Sequence, residues 1–117
     1  MEYKLNIIIR ADLKMGAGKI ASQAAHAAAE ATLQAQQRSP ETLRLWREQG
    51  AKKVVLKVSS LQELLDLQQK AEAEKLPTIL IHDRGLTQIP PDTPTALALG
   101  PAPSETLDKL CGHLRLL

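Results

Sequence analysis

The sequence contains no Phe, one Tyr and one Trp, so aromatic residues make up 2% of its 117 positions. A core must therefore be built from Leu, Ile, Val and Ala. Cys111 is the only cysteine. An internal disulfide is excluded, and a cytoplasmic setting is favoured. His113 is its only near partner, which makes a poor case for a catalytic thiol. No apolar run approaches the roughly 20 residues of a membrane span, so no membrane association is expected. The N-terminus alternates charged and apolar residues and lacks the apolar stretch of a signal peptide. One Cys and three scattered His do not supply metal-ligand spacing, so no metal is expected. None of Ser22, Ser39, Ser59, Ser60 and Ser104 lies in a nucleophile-elbow context.

What is present fits one compact domain over residues 1–117, long enough to bury roughly two-thirds of its unfolded surface. The net charge of +2 is small, but it is unevenly spread. Residues 1–57 hold ten Lys or Arg against five Asp or Glu, whereas residues 58–117 hold five against eight. The basic half can carry phosphate contacts. Ordinary solvated helix faces account for the same composition.

Tyr3 to Arg10, with Ile7-Ile8-Ile9, reads as a strand buried on both faces. Ala11 to Gly16 reads as a loop, and the Ala-rich run from Ala17 to Gln37 as a helix. Ser39-Pro40-Glu41 starts a second helix, with Ser39 as its cap, that stops at Gly50. Lys53 to Val58 is a second strand. Ser60-Leu61-Gln62-Glu63 is a capping box that opens a third helix. Pro77 to Ile81 is a third strand. Pro90, Pro91 and Pro94 mark a loop before a fourth strand at Thr95 to Leu99. Gly100-Pro101-Ala102-Pro103 then breaks the chain, and Ser104 caps a short last helix. The order is β-α-α-β-α-β-β-α. Helical crossovers between apolar strands imply an α/β fold with parallel strand pairs and helices on the sheet faces.

Two segments carry polar groups in a suggestive pattern. Gly16-Ala17-Gly18-Lys19 fails as a phosphate loop, because Leu13 stands where the first glycine belongs and Ile20 follows the lysine. A dinucleotide pattern fails on its distance from the strand end, so no organic cofactor is expected. What survives is local: glycines permit close backbone approach, and free amides at a helix start attract anions. Lys19, Gln23, His26 and Glu30 follow at i, i+4, i+7 and i+11, one polar stripe on an Ala helix. The second segment, His82-Asp83-Arg84-Gly85-Leu86-Thr87-Gln88-Ile89-Pro90, follows a buried strand, and ligands gather beyond such strand ends. Spacing alone reads the stripe equally as a solvated face, and Asp83 and Thr87 equally as turn ties.

Taken together, these stretches resemble the second type of peptidyl-tRNA hydrolase, a family of archaea and eukaryotes. The resemblance runs over essentially the whole chain. It is carried by Asp12-Leu13-Lys14-Met15-Gly16, Gly18-Lys19-Ile20-Ala21, Gln23, His26-Ala27, Lys52-Lys53-Val54-Val55 and Leu76-Pro77-Thr78. Further matches are Asp83-x-Gly85-x-Thr87-Gln88-Ile89-Pro90, Gly100-Pro101-Ala102-Pro103 and Gly112-His113-Leu114. It implies a mixed four-stranded sheet flanked by helices and no metal or organic cofactor. The implied activity is hydrolysis of the ester that joins a peptide to the terminal ribose of tRNA. Peptidyl-tRNA is then the partner, and a homodimer is a common state. The implied catalytic cluster is Lys19, Gln23, Asp83, Thr87 and Thr95. Lys14, Gly16, Gly18, His26, Arg84, Gly85 and Gln88 are the implied substrate contacts.

Three positions depart from the family pattern. Ala17 stands between the glycines where Lys is common, Leu86 replaces a basic residue, and Asp92 stands where Gly is common. A thinner basic rim implies weaker, less salt-sensitive tRNA binding. Each lost phosphate contact flattens the log–log salt slope by about 0.9 on a duplex, or about 0.7 on a single strand. A binding module without turnover is the competing expectation, and an esterase acting on another acyl-RNA is a third.

Overall fold

The computed structural model describes residues 1–84 and 89–117. Strand β1 (Tyr3–Arg10) is buried on both faces, as its isoleucines demand. A single 3-10 turn at Ala11–Leu13 interrupts the expected loop. Helices α1 (Ala17–Arg38) and α2 (Pro40–Glu48) follow, then β2 (Lys53–Val58) and α3 (Leu61–Ala73). Strands β3 (Thr78–His82) and β4 (Pro94–Pro103) precede α4 (Ser104–Cys111) and a two-residue β5 (Arg115–Leu116).

The sheet is mixed, with order β3-β4-β1-β2-β5. It therefore has five strands, not the expected four, and the element order gains a final β. The correction comes from Leu116 and Arg115, which pair antiparallel with Leu56 and Lys57. Two residues are too few to show a period.

The fourth strand is also longer than expected. Gly100-Pro101 does not break it; Asn6 faces Leu99 and Lys4 faces Ala102, so Gly100 and Pro101 together oppose Leu5 and the one extra residue forms a bulge. Gly100 takes φ +113 there, and a Cβ on it would lie 2.8 Å from the Lys4 carbonyl oxygen. A bulge also tolerates the missing amide of Pro101.

Alternation along the strands divides the core in two. Ile8, Leu97 and Leu99 face α3 and α4, packing with Leu64, Leu67 and Leu107. Ile7, Ile9, Ala96 and Ala98 face α1 and α2, packing with Ala27, Ala31 and Trp46. Each fully buried isoleucine contributes about 1.5–3 kcal/mol. The lone Trp46 donates its indole N–H to the Lys52 carbonyl at 2.9 Å. In α3, the Ser60 hydroxyl caps by accepting from the Glu63 N–H at 3.0 Å. The Glu63 carboxylate accepts from Ser59, so the box closes on a different serine. Two expected caps are absent: Ser39 makes no side-chain cap bond, and Ser104 is the first residue of α4. Pro40 at the first turn supplies the α2 start by its fixed φ.

Candidate active site

Strands β1 and β2 are parallel, and β4 runs against both β1 and β3. The carboxyl ends of β1, β2 and β3 therefore share one edge of the sheet with the start of β4. Arg10, Asp83 and Thr95 lie at that edge, where open sheets of this kind bind ligands. The chain leaves β1 through the 3-10 turn, passes Lys14 at φ 52, and enters α1 at Gly16. A methyl group on Gly16 or Gly18 would meet open space. Packing does not demand these glycines, and both, with Lys14, are exposed at a helix start that attracts negative charge.

Helix α1 packs on the sheet through Gln23, Ala27, Ala31 and Ala35, a row with four-residue spacing. Gln23 is thus part of the buried face. The expected polar stripe divides: Lys19 and Gln23 turn inward, while His26 and Glu30 are exposed on the neighbouring row. Lys19 is one turn before Gln23 on the same row, and its ammonium donates to the Asp83 carboxylate. The side chains of this pair are 15% and 3% exposed. An ion pair so shielded attracts more strongly than one in water, and burying it has a cost that packing must offset. Lys19 of the helix stripe and Asp83 at the end of β3 therefore meet in space.

Gln23 and Thr95 form the second contact. Thr95 is fully buried, and its hydroxyl donates to Gln23 Oε1 at 2.5 Å. The Ile81 carbonyl lies 3.4 Å from the same hydroxyl. Asp83 is fixed by its backbone as well. Its N–H donates to the Thr93 carbonyl at 2.8 Å, and its carbonyl accepts from the Asp92 N–H at 2.7 Å. Asp92 takes φ +61, a left-handed conformation that favours glycine.

A third pair was not among the expected site residues. Arg10 grips Asp12 with two hydrogen bonds, of 3.2 and 2.6 Å, and donates to the Pro94 carbonyl at 3.1 Å. It ties the end of β1 to the residue before Thr95. An arginine directly after the Ile7-Ile8-Ile9 run of β1 was the available signal. Arg84 is exposed beside Asp83. Thr87, Gly85, Leu86 and Gln88 lie outside the described residues. Among the described residues, no group of three or more His, Cys, Asp or Glu is placed to hold a metal ion. No helix among them is long and apolar enough to cross a membrane.

The edge thus offers a carboxylate against an ammonium, a fixed amide beside them, and an open helix N-terminus. This arrangement can exchange a proton and stabilise negative charge within one small volume. Residues 3–117 match the family described as Peptidyl-tRNA hydrolase PTH2. A Peptidyl-tRNA hydrolase of Thermococcus onnurineus is 50% identical, over 98% of this chain and 98% of its own length. One from Methanocaldococcus jannaschii is 47% identical, over 97% of this chain and 99% of its own. The human Peptidyl-tRNA hydrolase 2, mitochondrial, is 45% identical, over 98% of this chain and 64% of its own. With its sheet edge, its paired Lys19 and Asp83 and these relatives, the chain belongs to the peptidyl-tRNA hydrolase PTH2 family.

Proposed function

We propose that this chain hydrolyses the ester joining a peptide, or an N-blocked amino acid, to the 3′-terminal ribose of tRNA. The reaction recycles tRNA from stalled translation. The observation that carries the reading is the buried Lys19–Asp83 pair at the ligand-binding edge of a family member. Water attacks the ester carbonyl, the bond from carbonyl carbon to ribose oxygen breaks, and a proton reaches the departing ribose oxygen. Asp83 accepts the proton from water and returns it to that oxygen, a role worth about 10²–10⁴-fold. The Lys19 ammonium stabilises the oxyanion as it develops. Gln23 orients Lys19 or the ester carbonyl. Thr95 acts through Gln23, because its hydroxyl hydrogen is already directed there. Thr87 is assigned to water or ribose hydroxyls.

The same reading gives substrate contacts to Lys14, Gly16, Gly18, His26, Arg84, Gly85 and Gln88. It treats residues 1–117 as one catalytic domain that binds tRNA in the cytoplasm, works without a metal and is able to form a homodimer. The test is incubation of the purified protein with N-acetyl-aminoacyl-tRNA, with and without chelator. Equal release of tRNA in both conditions is expected, with Asp83→Asn slowing it at least a hundredfold. Binding without release would make the chain a non-catalytic module. Near-normal rates in both Asp83→Asn and Lys19→Ala would refute the site.

A further inference from the structure

Among the described residues, strand β3 stands at the edge of the sheet, bonded to β4 alone. The Gly100 N–H donates to the Pro77 carbonyl at 3.0 Å, and the Asp83 N–H donates to the Thr93 carbonyl at 2.8 Å. Thr78 lies opposite Leu99, and Leu80 opposite Leu97. Antiparallel alternation then aims the backbone groups of Ile79 and Ile81 at β4. The amides and carbonyls of Thr78, Leu80 and His82 point to the free edge. No described residue pairs with them there.

Exposed edges are ordinarily guarded by charge or proline, since they pair readily with other chains. The five residues of β3, Thr-Ile-Leu-Ile-His, contain no Lys, Arg, Asp, Glu or Pro. A groove of about 610 Å³ runs along residues 79–82, with His26 and Glu30 of α1 as its other wall. Arg84 and Asp92 line it beside Asp83. The groove is therefore continuous with the catalytic edge and carries an unguarded row of backbone donors and acceptors.

We propose that the free edge of β3 receives the peptide moiety of the substrate as an added strand. The inference rests on the ester-cleavage reading above. Direction follows from connectivity. The peptide is esterified through its own carboxyl end, which must lie at Asp83, and β3 runs toward Asp83. The added strand is therefore parallel to β3. Thr78, Leu80 and His82 present three outward positions about 6.6 Å apart, enough for three or four peptide residues. Backbone pairing of this kind reads no side chain, so peptides are accepted broadly, with a loss only where proline removes a bonded N–H.

The test uses one tRNA carrying acetylglycine, then acetylated chains of two, three and four glycines. Each net hydrogen bond is worth roughly two- to tenfold in binding. Values of kcat/KM are expected to rise roughly tenfold from one residue to three and then level. N-methylation of single peptide nitrogens is expected to remove the gain at alternate positions only, since a strand turns alternate amides to its partner. A flat length series overturns the proposal, as does an N-methyl effect equal at successive positions. A flat series together with a dimer in sedimentation would assign the edge to a second copy of the chain. Failure to cleave even acetylglycyl-tRNA is a separate outcome. It would overturn the ester-cleavage reading and this inference with it.

Discussion

The Lys19 ammonium and the Asp83 carboxylate, 64 residues apart in sequence, meet at the carboxyl edge of the sheet. Lys19→Met leaves the carboxylate buried without this cation, a change that lowers stability by up to about 3–5 kcal/mol. The double variant Lys19→Met with Asp83→Asn removes both charges and is expected to recover most of that loss. It is not expected to recover activity. Urea unfolding and single-turnover rates separate the two effects. Joint recovery of stability and rate would mean that the pair only holds the fold.

Thr95→Val takes away the hydroxyl that fixes Gln23, at a cost of about 1–3 kcal/mol because the Gln23 oxygen is buried. Turnover is expected to fall at least tenfold with KM little changed. Thr95→Ser keeps the donor and should restore most of the rate. A Thr95→Val enzyme with normal kcat would remove Gln23 from the reaction.

Salt dependence tests the expectation of a thinner basic rim. Ala17 is exposed at the start of α1. Ala17→Lys is expected to steepen the log–log salt slope of tRNA affinity by about 0.9 on duplex RNA, or about 0.7 on the single-stranded end. Filter binding between 50 and 200 mM salt (roughly the range over which such contacts screen) measures it. An unchanged slope would place the tRNA away from this helix start.

Gly100→Ala is expected to destabilise the protein severely, by more than about 2 kcal/mol. The cause is double: φ is +113, and the new Cβ would lie 2.8 Å from the Lys4 carbonyl oxygen. Thermal unfolding reads the loss. A normal melting temperature would contradict the bulge.

Cys111 should alkylate slowly at neutral pH. Its side chain is buried against α3 and the sheet, and that desolvation pushes the thiol above its usual range. Less thiolate and less access both slow the reaction. Iodoacetamide labelling at the rate of a free thiol would show the helix opening.

The long elements were legible in the sequence because their signals are long. β1 and β2 carry continuous apolar runs, and both match their expected bounds. α1 is marked by Ala content, with its end at Arg38 one residue past expectation. The site was legible only as two fragments. Periodicity put Gln23 with His26 and Glu30, because helical spacing shows a face but not which side of it meets the sheet. The buried row through Ala27, Ala31 and Ala35 decides that, and it takes Gln23 with it. Resemblance joined the fragments where spacing could not. Gly100-Pro101 misled for a physical reason: both residues end regular strands, and both are at home in a bulge. β5 depends on a pairing far away in sequence and leaves no local trace.

The alanine row on α1 sets how the candidate active site is dimensioned. Methyl groups at Ala27, Ala31 and Ala35 set the standoff between the helix axis and the sheet, as shims set a bearing clearance. The reach of Lys19 to Asp83 and of Gln23 to Thr95 follows from that clearance. Enlarging Ala31 to Val, three turns from Lys19, would lift the whole rod and widen both gaps together. The proposed catalytic alignment is therefore held at a distance, by residues that bear no functional group at all.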